Sequence, residues 1–301
     1  MEKKANEEGM LLQSSKHNIN LQMLKRQVYS AYYQLSYEEM KAETYRYLDS
    51  VYSDFAKKAE RRFELGETNY LEMITAQSNQ RQISTLFKQA NHQVRFSQEQ
   101  LMKLIQVDSI SISTGMKPLA QLELLQLDLE NNSGLVYMES AVNYQKAKTK
   151  LERHSLLPDL TAEYFQGTNS GLNKNLIGYQ FGIKIPLLFN GQRAKIKAAQ
   201  LAQESLEEEQ LDYEIKLKAK YNSLLQKLQQ YQEALDYYNQ QGNSLSREIL
   251  KTANRTYKEG EINFFQYIQS IETSKQIQLE YLENLNNYNQ TIIELNFIIL
   301  E

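Results

Sequence analysis

Apolar residues recur at alternating spacings of four and three along two long parts of the chain. This pattern repeats every 3.5 residues, which is typical of narrow coiled-coil seams between neighbouring antiparallel helices. The two sets are Tyr45, Leu48, Tyr52, Phe55 and Ala59 in the first half and Leu224, Leu228, Tyr231, Leu235 and Tyr238 in the second.

Helix-breaking residues are scarce in the same regions. The three prolines are Pro118, Pro158 and Pro186, so residues 1 to 117 and 187 to 301 contain none. Both stretches are rich in Gln, Glu, Lys, Leu and Ala, which favour helices. The sequence therefore predicts a mainly α fold of long antiparallel coiled-coil helices.

One stretch has a different period. In "IGYQFGIKIP" (177 to 186) large apolar residues alternate with small or polar ones, which predicts a strand with one apolar face. That face contains Ile177, Tyr179, Phe181, Ile183 and Ile185. Together with "LTAEYFQGT" (160 to 168) and the turn residues "NSGLNK", it predicts a β-hairpin.

Such a hairpin fits a soluble sheet packed on a core, or a membrane β-barrel with lipid outside and water inside. An isolated hairpin is only marginally stable in water, so we expect partner strands from other chains or from a further segment. Five aromatic residues suit the girdle of a barrel at the membrane interface: Tyr164, Phe165, Tyr179, Phe181 and Phe189.

The two halves of the chain share an internal repeat. Residues 57 to 74, "KKAERRFELGETNYLEMI", align with residues 251 to 268, "KTANRTYKEGEINFFQYI", at an offset of 194. Both copies carry a glycine, Gly66 and Gly260, between two helical patterns. We therefore expect a first repeat half over 1 to 106, a linker over 107 to 119, a helix over 120 to 157, the hairpin over 158 to 189 and a second repeat half over 190 to 301.

Charge and composition exclude several functions. The chain has 34 Lys and Arg against 37 Asp and Glu without a basic patch, which gives no basis for a nucleic-acid partner. It has no cysteine, and it contains no phosphate loop, H-E-x-x-H motif or nucleophile elbow. His17, His92 and His154 share no motif, and the eight methionines are scattered. We therefore expect no enzyme activity, no metal site and no cofactor.

Several motifs together indicate a family. They are the duplicated turn, "RRFELGETNYLEMITAQ" (61 to 77) and "RTYKEGEINFFQYIQS" (255 to 270), then "LLPDL" before the hairpin and "IPLLFNGQRAKIKAAQ" after it. Over essentially its whole length the chain resembles the TolC-like outer-membrane efflux proteins. Its second turn and "YLENLNNYNQTIIELNFII" are most similar to the heavy-metal branch, including outer-membrane portions fused to resistance-nodulation-division pumps.

The resemblance implies a homotrimer whose hairpins form one transmembrane β-barrel in outer-membrane lipid, with a periplasmic helical extension. It further implies the passive duct of a tripartite efflux system that exports heavy-metal cations or other small toxic solutes. The partners would be a periplasmic adaptor protein and an inner-membrane resistance-nodulation-division pump.

The resemblance also assigns roles to the duplicated turns, which in the family form the periplasmic tip. A glycine between two helices is ordinarily just a cap. In the family, however, these turns contact the adaptor, which here implies Leu65, Gly66, Glu67, Glu259, Gly260 and Glu261. Arg61 and Arg255, with Glu72, would hold the tip shut. Such gating would be asymmetric, because the position of Glu72 in the first copy is occupied by Gln266 in the second.

In one respect the chain departs from the family pattern of two hairpins per protomer. The first hairpin is absent, and three protomers would supply only six strands, fewer than the roughly eight of the smallest barrels. We therefore expect a C-terminal piece of a longer chain, or a truncated gene product. The alternative is a soluble coiled-coil scaffold or tether whose hairpin packs on its own helices, and it would need no detergent.

Overall fold

The computed structural model describes residues 1–109, 119–125, 129–169, 174–184 and 190–300. Its elements are α1 (Glu2–Glu64), α2 (Tyr70–Ile105), α3 (Ser133–His154), β1 (Asp159–Asn169), β2 (Lys174–Lys184), α4 (Asn190–Tyr237), a π-helical turn (Tyr238–Gly242), α5 (Asn243–Lys258) and α6 (Phe264–Asn296). The predicted fold class, long helices with one β-hairpin, is confirmed. Among the described residues, no helix has both the length and the apolar character needed to cross a membrane.

The chain forms two compact units. The first contains Met1–Leu21, Asp128–Lys218 and Ile299–Glu301, and the second contains Gln22–Leu127 and Ala219–Ile298. Helices α1 and α4 each contribute residues to both units, whereas the hairpin belongs to the first unit and both glycine turns belong to the second.

Two apolar clusters stabilise the second unit. The Tyr52 cluster joins α1, α2 and α6 through Leu48, Tyr52, Phe55, Ala59, Ala76, Phe264, Ile268 and Ile271. The Leu235 cluster joins α1, α4 and α6 through Tyr37, Leu119, Leu235, Leu282, Leu285, Tyr288 and Ile292. Each fully buried large side chain contributes about 1.5–3 kcal/mol. Most residues of the two predicted 3.5-residue patterns lie in or against these clusters, so the predicted seams are correct.

The helix predicted to begin at residue 120 begins instead at Ser133, after the N-cap residue Asn132. Residues 119–125 belong to no helix or strand, and two asparagines of α6 bind their backbone groups. Asn289 accepts a hydrogen bond from the backbone N–H of Leu122 at 2.9 Å. Its Nδ2 donates to the carbonyl of Ala120, also at 2.9 Å.

Asn296 repeats this arrangement farther along α6. It accepts from the N–H of Leu125 at 3.0 Å and donates to the carbonyl of Glu123 at 3.3 Å. Seven residues of helix rise about 10.5 Å, and three residues of extended chain span about 10 Å. The spacing of Asn289 and Asn296 therefore matches the spacing of the backbone groups that they bind.

Strands β1 and β2 form an antiparallel pair in which Leu160 lies opposite Ile183, Glu163 opposite Gln180 and Tyr164 opposite Tyr179. Directly opposite residues share a face of the sheet. The strands begin and end within one residue of the predicted bounds, except at the end of β2, which was predicted to reach 189. Residues 170–173 of the turn, Ile185 and Phe189 lie outside the described residues.

In the first unit, a tyrosine of α4 packs closely against the start of α3. A Cβ atom on Gly134 would lie 1.8 Å from the Tyr213 hydroxyl oxygen, so only glycine fits there. The same hydroxyl accepts a hydrogen bond from the backbone N–H of Leu300 at 3.1 Å. Tyr213 therefore links α3, α4 and the last described residue of the chain.

The asparagine pair predicts site-specific amide protection. Replacing Asn289 with Ala should speed hydrogen exchange at Leu122, and Asn296→Ala should do so at Leu125, because each amide loses its acceptor. Exchange followed by mass spectrometry with residue-resolving fragmentation measures both. Asn284→Ala is the control, since Asn284 bonds only within α6. Unchanged exchange at both leucines in these variants would contradict the pairing.

Candidate functional site

The first glycine turn, between α1 and α2, has the hydrogen bonds of a Schellman motif. Gly66 has φ +73°, a left-handed conformation that glycine adopts without strain. Its N–H donates to the carbonyl of Phe63 at 3.0 Å, and the N–H of Glu67 donates to the carbonyl of Arg62 at 2.8 Å. These bonds satisfy carbonyls at the end of α1 that have no helical partner.

The second turn, between α5 and α6, has the same geometry. Gly260 has φ +75°, and its N–H donates to Tyr257 at 3.2 Å. The N–H of Glu261 donates to the carbonyl of Thr256 at 2.9 Å. The sequence repeat is therefore a repeat of backbone structure as well.

An asparagine caps the helix that follows each turn. Asn69 accepts from the N–H of Glu72 at 2.9 Å, and Asn263 accepts from the N–H of Gln266 at 3.0 Å. In the second turn, the Gln266 side chain also accepts from the N–H of Asn263 at 3.0 Å, which completes a capping box.

Glu72 occupies the position of Gln266 but binds other groups. Its carboxylate accepts from the Thr68 hydroxyl at 2.6 Å and lies 3.3 Å from Arg62. The second turn has Ile262 and Thr256 at the positions of Thr68 and Arg62, and neither can serve as such a partner. The side chain at this position therefore makes a salt bridge and a hydrogen bond to a hydroxyl in the first turn. In the second turn it completes a neutral capping box.

The predicted gating residues lie at the turns, but their ion pairs differ from a simple Arg61–Glu72 contact. Arg61 pairs with Glu64 at 3.1 Å, and Arg255 with Glu259 at 4.0 Å. These pairs are exposed, and such pairs contribute about 0–1 kcal/mol each. The partner of Glu72 is Arg62. Arg62 was not among the predicted gating residues, although it directly follows Arg61 in the sequence. A gating role for Arg61, Glu72 and Arg255 stays a prediction.

Aromatic packing joins the two helices that flank the second turn, and one of its rings lies near charged groups of the first turn. The rings of Tyr257 and Tyr267 stack with centroids 4.4 Å apart, and the Tyr267 hydroxyl donates to Asn254 at 2.9 Å. Burial raises the pKa of the Tyr257 phenol, while the charge of Arg62 lowers it and that of Glu72 raises it. Because both charges belong to the first turn, that turn lies close to Tyr257 of the second.

All six residues predicted to bind an adaptor are exposed, and they carry three carboxylates and one leucine: Leu65, Gly66, Glu67, Glu259, Gly260 and Glu261. Beside them Tyr70 and Leu71 are 59% and 70% exposed. This surface, the turn surface, combines acidic groups with uncovered apolar side chains. Because Glu259 lies 4.0 Å from Arg255 and Glu67 lies 3.9 Å from Arg62, its charge is mixed, and its uncovered apolar side chains are what a partner would bury. Its role in adaptor binding stays a prediction.

The hairpin exposes a continuous apolar face within the first unit. Its described side chains do not pack on the chain's own helices, contrary to the scaffold alternative. Their exposed fractions are 79% for Leu160, 56% for Tyr164, 60% for Ile177, 69% for Tyr179, 80% for Phe181 and 68% for Ile183. Such a face needs an apolar environment from outside the chain.

The other face of the hairpin is mainly polar. Asp159 lies opposite Lys184, and Glu163 lies opposite Gln180. The ring of Phe165 covers Gly178 so closely that a Cβ atom there would lie 2.3 Å from it. The two faces therefore differ as the lipid and lumen faces of a membrane barrel do.

Neither surface has the chemistry of a metal site. No group of three or more His, Cys, Asp or Glu side chains that could hold a metal ion occurs in the described part of the chain. The arrangement supports binding and conduction surfaces.

We predict that replacing either turn glycine with alanine destabilises the folded chain through its backbone conformation and not through steric crowding. An added Cβ at Gly66 or Gly260 would meet no atom within 4 Å, so the cost of Gly→Ala arises from positive φ alone. We expect each substitution to lower the free energy of unfolding by about 1–2 kcal/mol. Asn at either position should cost less, because Asn tolerates this conformation better than Ala.

Thermal unfolding in detergent measures both effects. Gly191→Ala is the matched control, since it also has open space around the added Cβ but lies in α4 without positive φ. Equal melting temperatures for Gly66→Ala, Gly260→Ala and Gly191→Ala would contradict the assignment.

The sequence model of the family described as outer membrane efflux protein matches residues 124–299. No curated protein sequence gives a significant match. Among solved structures, the chain is similar to the CmeC outer membrane channel of Campylobacter jejuni, with TM-score 0.82 and 12% identity over 98% of this chain and 66% of that one. It is also similar to the open state of the MtrE outer membrane channel of Neisseria gonorrhoeae, with TM-score 0.81 and 16% identity over 98% and 69%.

A third similar structure is the outer membrane protein VceC of Vibrio cholerae, with TM-score 0.80 and 13% identity over 97% of this chain and 73% of that one. At these identities the structures show a common fold, and the family match covers more than half of the chain. The chain belongs to the outer membrane efflux protein family, and it has the TolC-like fold of the outer-membrane proteins CmeC and VceC.

Proposed function

We propose that this chain forms a passive homotrimeric duct that receives solutes from an adaptor and a pump and conducts heavy-metal cations or other small toxic solutes. The observation that carries the proposal is the hairpin, whose apolar face is exposed and whose other face is polar. Lipid would cover the first face, and water in the duct would contact the second.

The dimensions of the hairpin support membrane insertion. Each strand has 11 residues, and a tilted transmembrane β-strand needs about 9–11 residues. The side chains of the apolar face that lie opposite one another also pair, as the rings of Tyr164 and Tyr179 do with centroids 5.4 Å apart. Two strands cannot close a barrel by themselves, and three hairpins supply six strands, fewer than the roughly eight of the smallest barrels. The proposed trimer therefore combines these hairpins with strands from a further segment.

The turn surface is where we propose that a periplasmic adaptor protein binds. Its exposed glycine turns place Leu65 and the carboxylates of Glu67, Glu259 and Glu261 in solvent. An inner-membrane resistance-nodulation-division pump would supply the energy, since conduction through a duct needs no chemistry from this chain.

Charge on the polar face of the hairpin supports a cationic solute. Asp159 faces Lys184, but Glu163 faces the neutral Gln180. The described side chains of this face therefore include two carboxylates and one ammonium group. In a trimer, Glu163 would recur three times at one height of the barrel, and rings of carboxylates favour cations in channels.

Reversal potentials in planar lipid bilayers test this proposal. Across a salt gradient the wild-type chain should conduct with a preference for cations. Glu163→Gln should weaken that preference, and Glu163→Lys should reverse it, because the charge in the water-filled path changes sign. Glu209→Gln, at an exposed position of α4, is the control and should leave the preference unchanged.

The possible results separate the two parts of the proposal. Absence of conductance in every variant would contradict a duct. Conductance whose ion preference is the same in wild type and in Glu163→Lys would contradict the cationic solute only.

A further inference from the structure

A chain of side-chain hydrogen bonds connects α1 and α6 within the second unit. Ser30 donates to Gln290 at 2.5 Å, and Gln290 donates to Asn286 at 3.5 Å. Asn286 then donates to Gln34 at 3.0 Å, and Gln34 donates to Glu38 at 2.8 Å. In this polar seam Gln290 also donates to the backbone carbonyl of Ser30 at 3.0 Å, whereas the donors of Asn286 and Gln34 both point toward the Glu38 carboxylate.

The polar seam follows the helical period on both partners. Ser30, Gln34 and Glu38 are four residues apart on α1, and Asn286 and Gln290 are four residues apart on α6. Each set therefore lies on one face of its helix. A shift of one helix along the other would break several of these bonds at once, so the seam fixes the register of α1 against α6.

The seam ends at a carboxylate that is only partly satisfied. Glu38 is 4% exposed, and its Oε2 is buried without a hydrogen-bond partner, while Oε1 accepts from Gln34. A buried unpaired carboxylate oxygen is costly while the group is charged. Protonation removes the charge and so removes most of that cost.

The groups around Glu38 compensate its charge weakly. On α1, Lys41 lies 5.4 Å from the centroid of the Tyr37 ring. On α6, the neutral Asn286 belongs to the seam, and the charge of Glu283 acts on Tyr37. The groove between α1 and α2 carries the charges of Glu39, Glu43 and Arg46, but Glu38 is not among its lining residues.

These groups have opposing effects on the titration of Glu38. Burial is the largest influence and raises the pKa of the Glu38 carboxyl, while Lys41 and Gln34 lower it by less. The pKa in the folded chain is thus above that in the unfolded chain, where a glutamate titrates near about 4.3.

We infer that Glu38 makes the contact between α1 and α6 proton-responsive, so that protonation of its buried carboxylate stabilises the packing of the two helices. The ligand is a proton that binds at Oε2. The hydrogen bond from Gln34 to Oε1 loses its charge-assisted character, and the removal of a buried unpaired charge outweighs that loss. The inference rests on the seam itself and does not depend on the proposed duct.

The direction of the effect follows from linkage. A group whose pKa is higher in the folded state adds stability that is fully present below the unfolded pKa. That stability is lost as the pH rises through the folded pKa. The contact between α1 and α6 should therefore be most stable in mild acid and less stable at neutral and alkaline pH.

Melting temperatures of the full chain in detergent, measured from pH 4 to pH 8, test the inference. Glu38→Gln keeps the acceptor for Gln34 without the charge. We expect this variant to melt about 2–4 °C above wild type at pH 8, and the gap to shrink toward zero near pH 4. The control is Glu233→Gln, because Glu233 also accepts from a glutamine four residues earlier, at 3.1 Å, but is exposed.

Hydrogen exchange provides a second measurement that needs no variant. After correction for the intrinsic exchange rate, amides around residues 286–290 of wild type should gain protection on acidification, more than amides of α3 do. A gap between Glu38→Gln and wild type that does not change with pH would overturn the inference. So would equal changes in protection at the seam and in α3.

Discussion

A row of large apolar side chains on a two-stranded sheet is unfavourable in water, and this constraint determines how the protein is used. Phe181 and Leu160 are about four-fifths exposed, and each such side chain would gain about 1.5–3 kcal/mol from burial. The described helices do not cover the face, so its partner lies outside the chain. In the proposed duct, lipid would cover this whole face, and water would contact the polar opposite face.

In the helical part the chain must reverse direction twice, and both reversals use the same backbone geometry. Gly66 and Gly260 do so in matched left-handed conformations. The residues that follow differ, since the Arg62–Glu72 pair closes one turn and the Gln266 capping box closes the other. A duplicated structure has therefore acquired two chemically different turns. An adaptor that contacts both turns would therefore meet two surfaces of different chemistry.

The sequence predicted those features that depend on local patterns. The 3.5-residue period identified the buried faces of Tyr52 and Leu235, and glycine with its flanking repeat located both turns. Strand alternation located the hairpin to within one residue at three of its four strand ends. Each of these signals lies within a few residues of the feature that it predicts.

The features that were missed depend on partners far away in the sequence. Leu122 was predicted to lie in a helix, but it lies outside one, and Asn289, 167 residues later, binds its backbone. Glu38 looks like a surface residue of a polar helix, yet it ends a seam whose other members are as many as 252 residues away. Pairs of this kind stabilise a specific register, and a helical pattern alone does not show them.

The most direct test of the central claim is cysteine labelling along β2, which is possible because the chain has no native cysteine. Single cysteines from residue 177 to residue 184 would be labelled in outer-membrane vesicles by a water-soluble and by a lipid-soluble maleimide. The account predicts a period of two, with Ile177, Tyr179, Phe181 and Ile183 labelled from lipid and Gly178, Gln180, Gly182 and Lys184 from water. Uniform labelling of all eight positions by the water-soluble reagent would contradict insertion of the hairpin into the membrane.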